Sequence, residues 1–65
     1  MTLENIITLI NDFCYCVRLA ETGKNYALYP SHAHYNEYLQ KLNHYMKYPV
    51  KEIYVNEIES IEILI

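Results

Sequence analysis

The sequence predicts an α+β domain: a helix, a β-hairpin, a second helix and one or two terminal strands, with the helices packed on one face of an antiparallel sheet. Three features predict it. Two stretches carry apolar residues at helical spacing, a Gly-containing tetrad separates two β-rich runs, and the C-terminal residues alternate in character. No linker, repeat or low-complexity segment interrupts the 65 residues, so residues 1–65 read as one small domain.

The first helix is expected over residues 2–11. Thr2 is a candidate N-cap, and Leu3, Ile6, Ile7 and Ile10 then recur as one apolar stripe. Asn11 and Asp12 are poor helix formers and precede the β-rich run Phe13-Cys14-Tyr15-Cys16-Val17. Glu21-Thr22-Gly23-Lys24 separates that run from Asn25-Tyr26-Ala27-Leu28-Tyr29, the pattern of a hairpin with Gly at the left-handed position of a bulged turn. The alternative is a helix continued through Phe13, Cys14, Val17 and Ala20 and closed by Gly23. In the hairpin, Phe13, Tyr15, Val17 and Leu19 share one face, while Cys14, Cys16 and Ala20 share the other.

Pro30 and Ser31 supply a stop and a candidate N-cap for the second helix. Tyr35, Tyr38, Leu39, Leu42, Tyr45 and Met46 keep helical spacing, and Pro49 ends the element. Tyrosines make up half of that stripe, so its face is expected to be only partly dry. Beyond it, Ile53 and Val55 alternate with Glu52, Tyr54 and Asn56, and Ile61, Ile63 and Ile65 with Ser60, Glu62 and Leu64, but Glu57 and Glu59 occupy the apolar parity between them. A single strand does not keep its register through such a slip, so a turn or bulge near residues 56–60 joining two short strands is expected. The terminal run Ile61–Ile65 reads as an apolar strand that could form an exposed edge.

Eight tyrosines stand against one Phe and no Trp. A chain of about 60 residues buries only about 60% of its unfolded surface. Its interior does not house eight large rings, each with a hydroxyl that wants a partner, so several are expected at a surface made for contact. An apolar fraction of 52% argues against disorder. A net charge of −3 disfavours direct nucleic-acid binding and a basic membrane-surface helix. No run approaches the roughly 20 apolar residues of a membrane span. Without a basic N-terminal stretch, and with Glu4 near the start, no signal peptide is expected. Cys14 and Cys16 are too close for an unstrained mutual disulfide, so free thiols and a cytoplasmic location are expected.

Chemistry is weakly signalled. Cys14-x-Cys16 and His32-x-His34 offer metal-ligand atoms at spacings that miss the usual zinc patterns, so no metal or cofactor is expected. A Cys–His nucleophilic site using His44 has nothing to assemble it, and cysteines in an apolar run are poor thiolates, so the chain does not read as an enzyme. With a single Gly there is no phosphate-binding loop.

What remains is binding. Tyr15, Tyr29, Tyr35 and Tyr54 are the candidate contact rings. Glu52, Glu57 and Glu59, in a cluster with Glu62, are the candidate acidic contacts, and Arg18 and Lys24 the basic ones. The expected function is a non-catalytic protein-interaction module, a homodimer that blocks a host enzyme or defence complex as many short acidic proteins of phages and mobile elements do. The alternative is an oligomer sequestering a small nucleotide between subunits, tyrosines stacking on the base and Arg18 or Lys24 meeting the anionic group. A third reading is a structural or regulatory subunit.

Overall fold

The computed structural model describes residues 1–10, 12–55 and 60–65. Helix α1 (Leu3–Ile10) is followed by strands β1 (Tyr15–Arg18) and β2 (Asn25–Leu28). Helix α2 (Tyr35–Lys41) continues into a 3₁₀ turn (Leu42–Tyr45), and strands β3 (Glu52–Val55) and β4 (Ile61–Leu64) complete the chain. The α+β architecture and order of elements are those expected. Among the described residues, no helix is long and apolar enough to cross a membrane.

Thr2 caps α1 as its side chain predicts, and Asn5 answers it. The Asn5 amide donates to Thr2 Oγ1 (3.4 Å) while the Thr2 amide donates to Asn5 Oδ1 (3.2 Å), a reciprocal box that satisfies two otherwise orphaned donors. Leu3 and Ile6 are buried, and Ile7 and Ile10 pack half-buried against them. The helix ends at Ile10, and the hairpin follows in place of a longer helix. Gly23 sits at φ +73°, the left-handed position, where its amide donates to the Leu19 carbonyl (2.8 Å).

Helix α2 starts later than Ser31 implies. Its N-cap is His34, with no side-chain cap bond, and the chain ahead of it is held in turns, the His32 amide donating to the Tyr29 carbonyl (2.8 Å) and the Tyr35 amide to the His32 carbonyl (3.1 Å). No residue of α2 is fully buried, so its tyrosine stripe is indeed only partly dry, and Leu42 in the 3₁₀ turn supplies the fully buried contact.

The sheet order is β2-β1-β4-β3. The expectation of an antiparallel sheet holds for β1–β2 and β3–β4, but β1 and β4 run parallel, so the sheet is mixed. The reason is the connection. β2 leads into α2, and the chain returns on the far side of β1; a strand reached through such a crossover, unlike a turn-linked neighbour, is free to run parallel. The same crossover overturns the expectation that Ile61–Ile65 is an edge. β4 lies between β1 and β3, and its apolar residues on both faces suit a central strand. The edge is β3. The expected turn near residues 56–60 falls largely on residues 56–59, outside the described residues.

Cross-strand registers define two rows on the helix-covered face: Leu28, Tyr15, Ile61 and Val55, then Tyr26, Val17, Ile63 and Ile53. Burial fades along both toward β3. Tyr15, Val17, Leu28 and Ile63 are in the core with Leu19 and Ile65, whereas every residue of β3 is exposed. Phe13, which by alternation shares a face with Tyr15, precedes the first residue of β1 and is 55% exposed.

Candidate interaction surface

Helices cover one face of the sheet; among the described residues nothing covers the other, the bare face. Its two rows are Ala27, Cys16, Glu62 and Tyr54, then Asn25, Arg18, Leu64 and Glu52. Alternation along each strand puts these side chains outward because their neighbours fill the core. A shallow hollow of about 320 Å³ lies here, lined by Cys16, Arg18, Asn25, Tyr54, Glu62 and Leu64 among others. Arg18 is exposed and makes no ion pair among the described residues. The Cys16 thiol is pushed above its ordinary range, first by burial and then by the nearby Glu62 carboxylate and Cys14, which leaves it a weak nucleophile. Both cysteines are free thiols.

Met1 and Thr2 pair with Val50 and Pro49 just ahead of β3; beyond them the outer side of β3 has no partner strand among the described residues, and its exposed apolar residues are Ile53 (46%), Tyr54 (50%) and Val55 (74%). Ile53 and Val55 project to the helix side, beyond the helices' reach, and Tyr54 to the bare side. Apolar residues on both faces of an edge strand, with no charge among the three, are what soluble proteins usually avoid.

Three of the residues expected to bind a partner gather here: Arg18 and Tyr54 line the hollow, and Glu52 ends the row that contains Arg18. Four others do not join them. Tyr15 is a correction: it is fully buried, because its position on a central strand places it under the helices, and its ring is closed to any partner. Its hydroxyl has no hydrogen-bond partner among the described residues. Burial pushes this phenol well above its ordinary range, and the neighbouring Tyr35 adds to the shift. Tyr35 is itself half-buried against the core. Tyr29 is exposed just past β2, edge-on to His32 at 6.4 Å. Lys24 lines a separate depression with Glu37, Lys41 and His44. Glu57 and Glu59 lie outside the described residues.

The tyrosine surplus is distributed as a small interior requires: Tyr15 alone is fully buried, Tyr26, Tyr35, Tyr38 and Tyr45 are half-buried, and Tyr29, Tyr48 and Tyr54 are exposed. A second aromatic row escaped the sequence reading. Centroids step from His32 to His34 (5.1 Å), from His34 to Tyr38 (5.6 Å, stacked) and from Tyr38 to Tyr26 (5.7 Å). His32 and His34 are exposed and Tyr26 and Tyr38 half-buried, so the row runs along the surface with only the His34–Tyr38 pair stacked. Cys14-x-Cys16 and His32-x-His34 sit on separate elements, and among the described residues no group of three or more His, Cys, Asp or Glu side chains could hold a metal ion. The missed contributors at the edge are Ile53 and Val55. Their signal was an uncharged β-forming triplet, but edge and centre differ only once the strand order is known.

No protein-family model matches the chain, and neither a curated protein nor a solved structure matches it.

Proposed function

We propose that this chain is a non-catalytic protein-interaction module that lays the bare face of its sheet on a larger protein and blocks it, in the manner of the small inhibitors of phages and mobile elements. One observation carries the reading: the helices pack on one face of the mixed sheet, and among the described residues the other face, which carries Tyr54, Leu64, Arg18, Glu52 and Glu62, has no covering element. The bare rows combine an aromatic and an aliphatic anchor, Tyr54 and Leu64, with charges of both signs, Arg18, Glu52 and Glu62, the mixture typical of protein-binding surfaces. Glu62 within the hollow opposes an anionic ligand, which favours a protein over a nucleotide.

The test is capture of a partner by the tagged chain from a host lysate, repeated with Arg18→Glu and Glu62→Arg. Both positions are exposed, so the melting temperature should hold while a stoichiometric partner is lost. A nucleotide that raises the melting temperature, with no protein captured, would instead support the sequestering alternative, since ligand binding stabilises the native state.

A further inference from the structure

We infer that the open edge of β3 pairs with β3 of a second copy, antiparallel about a two-fold axis through Tyr54. This goes beyond the partner-binding reading, because purified chain alone tests it. The argument is one of parity. Extending a sheet across its edge keeps each face continuous, so a residue that points to the helix side must meet another that does the same. In a strand paired with its own copy, opposed residue numbers sum to a constant, and face continuity makes that constant even. Centred on β3, the register sets Ile53 of each copy against Val55 of the other on the helix side, and the two Tyr54 side chains against each other on the bare side. The three residues most in need of cover are then covered by their own counterparts.

Charge permits this register. Glu52 and its copy fall at opposite ends of the paired segment, and no like charges meet in the triplet. The other edge, β2, is a poorer candidate: α2 packs against it and its helix-side residue Leu28 is already buried. Area sets the strength. With whole-residue areas of about 150–250 Å², the exposed parts of Ile53, Tyr54 and Val55 amount to roughly 300 Å² per copy. That is below the ~800 Å² per partner of a standard interface, so the dimer is weak and concentration-dependent. Pairing also sets the two bare faces side by side, widening the platform on which a larger partner would sit.

Light scattering on the purified chain from about 10 μM to about 1 mM should show mass rising from 7.8 kDa toward twice that value, a window suited to a dissociation constant in the micromolar range or weaker. Val55→Lys should weaken association by ~tenfold or more, because it sets an unpaired ammonium against Ile53 of the other copy. Register is read by cross-linking with oxidised glutathione in a Cys14→Ser, Cys16→Ala background whose fold is checked by circular dichroism. Tyr54→Cys should cross-link with itself, and an Ile53→Cys with Val55→Cys mixture should form mixed dimers. Ile53→Cys alone should not, because diagonal pairs lie about 7–8 Å apart, outside disulfide reach. A monomer across the whole range overturns the inference and leaves the edge to a strand of a different protein. Self-cross-linking through Ile53→Cys in preference to Tyr54→Cys overturns it equally.

Discussion

Ile53 and Ile63 are direct cross-strand partners on the same side of the sheet, yet Ile63 is 1% exposed and Ile53 is 46% exposed. The boundary of the helical layer passes between them. Two residues of the same type and parity on adjacent strands therefore do different work, one closing the core and the other leaving apolar surface at an edge.

Truncating the two should separate these roles. Ile63→Ala should destabilise the fold by about 2–5 kcal/mol, the range for a large-to-small change in a packed core. Ile53→Ala in dilute solution should change stability by less than about 1 kcal/mol. Urea titrations of both variants at low micromolar concentration provide the comparison; equal losses would mean that β3 is covered in solution.

The buried Tyr15 hydroxyl lies near Tyr35 but has no hydrogen bond of ordinary geometry among the described residues, and desolvating such a group costs about 1–3 kcal/mol. Tyr15→Phe keeps the ring and removes that hydroxyl, so it should be neutral or stabilising by up to about 1 kcal/mol. Tyr15→Ala, which empties the site, should lose about 3–5 kcal/mol.

The same residue makes stability fall at high pH. In the unfolded chain its phenol releases a proton near pH ~10, whereas burial holds that proton on in the native state. Above that pH the unfolded state binds fewer protons than the native one, so the unfolding free energy declines as pH rises. Chemical denaturation between about pH 8 and pH 11 should show a shallower decline for Tyr15→Phe than for the parent.

Gly23 tests backbone conformation free of packing. A Cβ there would meet nothing within 4 Å, so the penalty of Gly23→Ala is the left-handed φ alone, about 1–2 kcal/mol. Gly23→Asn should recover part of that loss, because Asn tolerates the conformation better. If Ala were as stable as Gly by thermal melting, the turn would have to rearrange.

The reciprocal bonds of Thr2 and Asn5 predict coupling. Thr2→Ala should destabilise by about 1 kcal/mol. Asn5→Ala should add little once Thr2 is gone, because the two side chains answer each other; a double-mutant cycle on denaturation midpoints measures the shared part.

Much of the fold was legible where neighbours in sequence settle it. Thr2 marks the start of α1, Asp12 lies between α1 and β1, and Gly23 turns the hairpin, all within a few residues of the groups they act on. Helix α2 was less legible at its start: Ser31 is a fair cap by composition, but the chain ahead of His34 is held in turns through His32 and Tyr35. For the surface, Arg18, Glu52 and Tyr54 were recognised as contact residues and do share one region, whereas Tyr15 was assigned to the wrong side of the protein surface. Its alternation with Val17 identified a face correctly and left open which face the helices would cover.

Local chemistry in the chain determined the elements, their order and the surplus of amphipathic rings. Tertiary structure alone decided that β4 is central and β3 marginal, that Tyr15 is interior, and that Ile53 and Val55 lie beyond the helices. The physical reason is that periodicity records which residues of a strand point together, while cover depends on strand order and on where the α2 crossover returns the chain, and those are long-range packing outcomes with no short-range signature.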